Sequence, residues 1–124
     1  SIYRNLEYFV PNKLNVEKMQ EAVKYFEGEH DFKAFKASGT SSKSSVRTIY
    51  KTKVEKQGDR IVIELTGNGF LYNMVRIIAG TLVEVGLGKI EPNGIPKIIE
   101  KGERARAGKT LPPQGLYLVK VEYQ

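Results

Sequence analysis

The amino-acid sequence predicts an α+β fold, a mainly antiparallel sheet with helices packed on one face. Three observations lead there. Apolar and polar residues alternate from Val46 to Val54, as in a half-buried strand, and after a turn Arg60 to Thr66 returns as its antiparallel partner; other stretches carry apolar residues at helical spacing; and no strand–helix–strand alternation repeats, which argues against a parallel sheet. At 124 residues the chain has the length of one domain. With 40% hydrophobic and 27% charged residues it is too apolar for intrinsic disorder.

Residues 1–14 are aromatic-rich but aperiodic and contain Pro11 and Asn12, so they are expected to form a connecting arm. Asn15 is a good N-cap, and Met19, Ala22, Val23 and Phe26 behind it recur at helical spacing, which predicts an amphipathic helix over 16–26 ended by Gly28. His30 to Phe35 is expected to make one short helical turn, buried through Phe32 and Phe35. Lys36 to Ser45 is a Gly/Ser/Lys loop with the composition of a phosphate-contacting segment. The strand over 46–56 sets Val46, Thr48, Tyr50, Thr52 and Val54 on an apolar face and Arg47, Lys51 and Lys53 on a basic one. Gln57, Gly58 and Asp59 turn the chain into its antiparallel partner, and Gly67-Asn68-Gly69 breaks that strand. An unusually apolar helix is expected from about Phe70 to Val85, released by Gly86 and Gly88. A short helix carrying Ile95, Ile98 and Ile99 stops at Gly102, and Pro112-Pro113 lead to a last strand, Leu116 to Tyr123.

Lys plus Arg number 20 against 14 Asp plus Glu, for a net charge of +6, which points to an anionic partner with nucleic acid first. The surplus is localised. From Lys33 to Arg60 eight basic residues face only Glu55 and Asp59, a balance of +6; from Lys101 to Lys109 four face only Glu103, a balance of +3; the rest of the chain therefore carries −3. There is no cysteine, which excludes a disulfide scaffold, a thiol nucleophile and a Cys-ligated metal, and a single histidine, His30, excludes a His-rich site. No stretch approaches the roughly 20 apolar residues of a membrane span, and no signal-peptide pattern opens the chain, so the cytoplasm is the expected location. The first residue is Ser1 rather than Met, which leads us to expect further residues upstream.

Several local motifs fail. In a dinucleotide-binding Gly-x-Gly-x-x-Gly starting at Gly67 the third glycine falls on Tyr72, and a P-loop ending in Gly108-Lys109-Thr110 requires its first glycine at Glu103. Asn68 to Tyr72 echoes an aromatic RNA-recognition signature, but opens a helix instead of lying in a strand. His30 beside Asp31 reads as a structural histidine near an element end rather than an acid–base pair.

Arg76 is the most informative local feature. It is the only charged residue between Glu64 and Glu84. On a helical wheel Leu71, Met74, Val75, Ile78, Leu82 and Val85 form a core stripe, and Tyr72, Asn73, Arg76, Ala79 and Gly80 share a second, polar and small side. A guanidinium there snorkels to water, or meets a carboxylate or phosphate supplied from outside this chain, because an unpaired buried charge is expensive.

Four blocks in order carry a resemblance. Gly28-Glu29-His30-Asp31-Phe32, Ser45-Val46-Arg47-Thr48-Ile49, Gly67-Asn68-Gly69-Phe70-Leu71-Tyr72-Asn73-Met74-Val75-Arg76 and Leu111-Pro112-Pro113-Gln114-Gly115-Leu116-Tyr117-Leu118 resemble the C-terminal half of tRNA pseudouridine synthases of the A type. The resemblance covers nearly the whole chain. It implies a cofactor- and metal-free isomerase that converts uridine to pseudouridine in the anticodon stem-loop of tRNA, a homodimer whose two α+β halves join their sheets around a basic cleft. The family's nucleophilic aspartate lies in an Arg-Thr-Asp-Ala-Gly-like motif of the N-terminal half, which this chain lacks; its own aspartates are Asp31, in a matched block, and Asp59, in the hairpin turn. The N-terminal domain of the same enzyme is then the expected partner, with Arg76 pairing its aspartate. By the same resemblance Leu116 enters the uracil pocket, with Tyr72 and Asn73 beside Arg76; the competing reading of Leu116 is a strand core residue.

Reaching a stem uridine requires unstacking it, at a cost of a few kcal/mol. Phosphate contacts offset that, and Lys43, Arg47, Arg104, Arg106 and Lys109 are the candidates for them. The alternative function is a non-catalytic RNA-binding or dimerisation module of the same fold.

Overall fold

A computed structural model describes residues 2–9, 14–37, 44–58, 60–71, 73–110 and 116–121. The fold is α+β, as expected. In chain order the regular elements are β1 (Ile2–Phe9), α1 (Val16–Lys24), β2 (Gly28–Asp31), β3 (Val46–Gln57), β4 (Arg60–Gly67), α2 (Met74–Gly86), α3 (Ile95–Lys101) and β5 (Leu116–Val121), with single 3₁₀ turns at Lys33–Phe35, Pro92–Gly94 and Arg104–Arg106. The strands make one sheet ordered β2-β3-β4-β1-β5, each neighbouring pair antiparallel.

The hairpin forms as its alternation predicts, in a register that places Val54 opposite Ile63 and Gln57 opposite Arg60. Helix α1 forms behind its cap: the Asn15 side chain accepts from the Lys18 N–H at 3.1 Å, Glu17 sits in the first turn and Lys24 in the last, complementing the helix dipole. Met19, Ala22, Val23 and Phe26 are buried against Ile49, Val54, Ile61, Ile63 and Leu65 of the sheet, and α2 and α3 close the same core through Ile78, Leu82, Ile95 and Ile98. Phe26, Phe32 and Phe35 meet edge to face inside it, with centroids 5.2 Å apart for Phe26–Phe35 and 6.1 Å for Phe32–Phe35.

Four expectations are corrected. Residues 2–9 are not an arm but strand β1, inserted between β4 and β5, with Leu6 opposite both Ile63 and Leu116. Its partners lie far along the chain, and pairing on both sides overrides a weak local pattern. The stretch from His30 is not a helical turn throughout: Gly28–Asp31 is an edge strand paired to Val46–Ile49, and only Lys33–Phe35 turns helically. The left-handed Gly28 (φ +103°) redirects the chain from α1 into that strand.

The β3 faces do not hold one phase. The ladder steps from Ile49 opposite Gly67 to Lys51 opposite Thr66, so Tyr50 is an extra residue, a β-bulge that inverts the alternation. Ile49 is buried before the bulge and Thr52 and Val54 after it, while Val46 is exposed. Lys51 and Lys53 keep their place on the helix-free face, whereas Arg47 joins Ile49 on the face that carries the helices.

The fourth correction is the start of α2, at Met74 rather than Phe70. Asn73 takes a left-handed conformation (φ 61°, ψ 5°), which stops the helix from extending backwards, and Phe70 and Leu71 pack on the core as a lead-in.

Beyond Ile49, β3 outruns β2, and side chains of α1 and the turn after it take over as its edge partner. Gln20 Nε2 donates to the Val54 carbonyl at 2.9 Å, Lys24 Nζ to the Thr52 carbonyl at 3.2 Å, and the Thr52 N–H and hydroxyl donate to Glu27 Oε2 at 3.1 and 2.6 Å. An open edge is thereby covered. Burial opposes ionisation of Glu27, but the Thr52 donors and the Lys24 ammonium outweigh it and hold the carboxyl below its ordinary value of 4.5. A depressed folded-state pKa contributes stability above the unfolded value and loses it as pH falls through the folded one. Thr52→Val is therefore expected to cost about 1 kcal/mol at neutral pH, and to flatten the acid-side loss of stability below pH 4.5. Urea unfolding at a series of pH values checks this; identical pH profiles for variant and parent would refute it.

Candidate active-site face and RNA-contacting segments

The site is built on the entry to α2. Gly67-Asn68-Gly69 docks the end of β4 onto the start of β3: the Asn68 N–H donates to the Thr48 carbonyl at 3.0 Å, and the Thr48 N–H donates to Asn68 Oδ1 at 2.9 Å. A Cβ on Gly67 would stand 2.7 Å from that same carbonyl, so only glycine permits this approach. Next to it, the Arg47 stem lies over Gly69, whose added Cβ would meet Nε at 3.7 Å, and Arg47 Nη1 donates to the carbonyls of Ser44 and Val46 at 3.0 and 2.7 Å. The bulge at Tyr50 is what brings Arg47 to this side.

Arg76 projects from the first turn of α2, half-buried, and its Nη1 donates to Asn73 Oδ1 at 2.9 Å. Two of the expected site residues are thus in direct contact. The left-handed backbone of Asn73 carries its side chain into reach of Arg76, and asparagine is among the few non-glycine residues that adopt it readily.

The small residues on the second side of α2 are covered. Ala79 is fully buried and Gly80 is buried, covered by the backbone of residues 108–109. The Lys109 carbonyl oxygen occupies the place of a Gly80 Cβ. The Gly108 N–H donates to Thr81 Oγ1 at 2.8 Å, and that hydroxyl donates to the Ile77 carbonyl at 2.8 Å. Sequence reasoning passed over Thr81 and did not connect Gly80 with Gly108; a threonine and a glycine side by side in the helix were the available signal.

The second basic segment rides on this contact. Lys109 and Arg106 are exposed, Arg106 Nε donates to Glu103 Oε2 at 2.9 Å, and Arg104 turns its guanidinium toward its own loop. Leu116 opens β5, paired with Leu6 of β1. Tyr72 and Lys43 lie outside the described residues. His30 is used structurally: its ring nitrogen Nε2, 2.8 Å from the Glu27 carbonyl, donates to it, and the ring meets Phe32 edge-on at 5.6 Å. Asp31 accepts from the Lys33 N–H at 3.2 Å and caps the turn there.

Among the described residues, no group of three or more His, Asp or Glu side chains is arranged to hold a metal ion, and no helix is long and apolar enough to cross a membrane. The arrangement offers a half-buried guanidinium held by a neighbouring amide, on a helix that also seats the basic 104–109 loop. Chemically it can orient and keep ionised a carboxylate brought to it, and attract a polyanion.

A family model described as tRNA pseudouridine synthase matches residues 22–124. The chain is 55% identical over 124 residues to the tRNA pseudouridine synthase A of Ruminiclostridium cellulolyticum, covering 99% of this chain and 51% of that protein. It is 54% identical over 123 residues to the tRNA pseudouridine synthase A of Acetivibrio thermocellus, covering 99% of this chain and 50% of that protein, and 50% identical over 123 residues to the tRNA pseudouridine synthase A 2 of Clostridium perfringens, with the same coverage. The chain thus spans about half the length of the curated relatives it matches. With the match running through the four blocks that build the sheet, the α2 entry and β5, the chain belongs to the tRNA pseudouridine synthase family.

Proposed function

We propose that this chain is the C-terminal half of an enzyme that isomerises uridine to pseudouridine in the anticodon stem-loop of tRNA, and that it supplies RNA contacts and the arginine partner of an aspartate carried by the other half. The observation that carries this reading is Arg76, half-buried in the first turn of α2 and bonded to Asn73, in a chain that covers about half of the related synthases. Of its own two aspartates, Asp31 is engaged locally, its side chain accepting from the Lys33 N–H, and Asp59 lies outside the described residues.

In the assembled site the Arg76 guanidinium holds the incoming aspartate ionised and aimed, as a nucleophile requires. The N1–C1′ bond of uridine breaks and a C5–C1′ bond forms; the proton on C5 leaves and N1 gains one, so no oxidant or cofactor is consumed. Leu116 and Tyr72 line the uracil side and exclude water. Lys43, Arg47, Arg106 and Lys109 contact phosphates and offset the unstacking of the base. The working enzyme is a cytoplasmic homodimer.

The test is tritium release from tRNA labelled at uracil C5. The full-length protein is expected to release it and the 124-residue chain alone to release none. Release by the chain alone, or none by the full-length protein, would overturn the reading. A gel-shift titration showing no salt-dependent binding of the full-length protein to tRNA would favour the dimerisation module instead.

A further inference from the structure

Arg104 sits in a cluster of cations, yet its two terminal nitrogens are used inside the protein. Nη1 donates to the Gly108 carbonyl at 2.8 Å and Nη2 to the Thr110 hydroxyl at 3.2 Å, so the planar fork closes the 104–110 loop on itself. The closed loop is in turn seated on α2 through the buried Gly108 N–H to Thr81 bond and through the Lys109 carbonyl lying on Gly80. Arg76 and Gly80 are four residues apart, on one side of the helix. The same helix side therefore sets both the direction of Arg76 and the seat of the loop from which the chain runs on to β5 and Leu116.

We propose that Arg104 is a positioning residue: it holds the 104–110 loop against the side of α2 that carries Arg76, so that the contribution of α2 to the active site stands in one fixed geometry. The proposal rests on the catalytic reading of Arg76 given above. It differs in kind from a phosphate contact. A phosphate contact is a point-charge interaction that lysine also makes, and its loss reduces the slope of log K against log salt by about 0.7–0.9. Bridging a carbonyl and a hydroxyl demands two donors in a fixed plane, which an ammonium on a flexible stem does not provide. Displacing a reacting group by about 1 Å costs on the order of a hundredfold in rate, so a loosened loop is expected to appear in turnover.

The experiment compares Arg104→Lys, Arg104→Ala, Thr81→Val, Thr81→Ser and Arg76→Ala in the full-length protein, below the melting temperature of each. It reads kcat, KM for tRNA and the salt slope of tRNA binding. Arg104→Lys and Thr81→Val are expected to lower kcat about tenfold or more, with KM and salt slope near the parent's and with Thr81→Ser near wild type. Wild-type kcat in Arg104→Lys, or a salt slope reduced by about one unit in Arg104→Ala with kcat unchanged, makes Arg104 a phosphate contact and overturns the proposal. Lowered thermal stability with unchanged kcat makes it merely structural and does the same. If Arg76→Ala keeps full activity the catalytic reading falls and takes this proposal with it; if Arg76→Ala is inactive while Arg104→Lys is normal, only this proposal falls. Should Arg104→Ala not fold, Arg104→Lys and Thr81→Ser still decide.

Discussion

Arg76→Ala in the full-length protein is expected to lower kcat by about a hundred- to a thousandfold, the loss typical when one preorganised donor is removed from a reacting centre. The expectation follows from how the residue is held. The guanidinium is half-buried in the first turn of α2, and Asn73 holds it from the side at 2.9 Å, which presets its direction. On the function proposed above Arg76 acts on a carboxylate and not on the tRNA backbone, so kcat is expected to fall while KM stays close to the parent's. Arg76→Lys keeps the charge without the fork and is expected to recover part of the rate. Asn73→Gly isolates the orienting contact: glycine suits φ 61° without strain, so the fold is retained while the Asn73 Oδ1 acceptor is removed. Single-turnover tritium release measures all three. Unimpaired turnover in Arg76→Ala sinks the assignment.

Gly80→Ala is expected to destabilise the protein by about 3 kcal/mol or more, at the upper end of overpacking. The usual sign is opposite. In a helix interior alanine is better than glycine by about 1 kcal/mol, so an exposed Gly80 would make the change stabilising. Here the new Cβ falls on the Lys109 carbonyl, a backbone atom with no rotamer to yield, and pushing the loop away also breaks the buried bond from the Gly108 N–H to Thr81. For a domain of about this size the loss corresponds to a melting temperature lower by roughly 12 °C or more. Calorimetry decides, and a raised melting temperature would show that the loop does not rest on the helix. Gly108→Ala is the matching control from the other side, since its Cβ would crowd the Thr81 backbone at 2.5 Å.

Much of the fold was legible because its signals are local. The strand run of 60–66 after its turn, the Asn15 cap with its apolar stripe, and the short helix ended by Gly102 all register within a turn or two of chain, and the structure reproduces these elements, although β4 is buried on both faces through Ile61, Val62 and Ile63. Strand β1 was not legible. Its identity depends on β4 and β5, whose partners stand more than fifty and a hundred positions away, and on a ladder irregularity at Arg4 that blurs any period. The bulge at Tyr50 was equally hidden, since one extra residue leaves the alternation intact on each side while exchanging the faces. That exchange is why Arg47 stands beside Gly69 and not on the outer face with Lys51 and Lys53.

The site divides along the same line. Which residues could do chemistry is a matter of identity: the chain has no cysteine and one histidine, its two aspartates sit in turn-forming contexts, and Arg76 interrupts an apolar run. Four short blocks in order were enough to relate it to the synthases. What each cation does is a matter of contact, and only the tertiary structure decided it. Arg104 and Lys109 are alike as charges in a loop, but one bridges Gly108 and Thr110 while the other is exposed with its carbonyl on Gly80. Hydrophobic period and net charge describe a segment in isolation, whereas the partner of a guanidinium, or the absence of room for a Cβ, is set by chain brought in from 27 residues away.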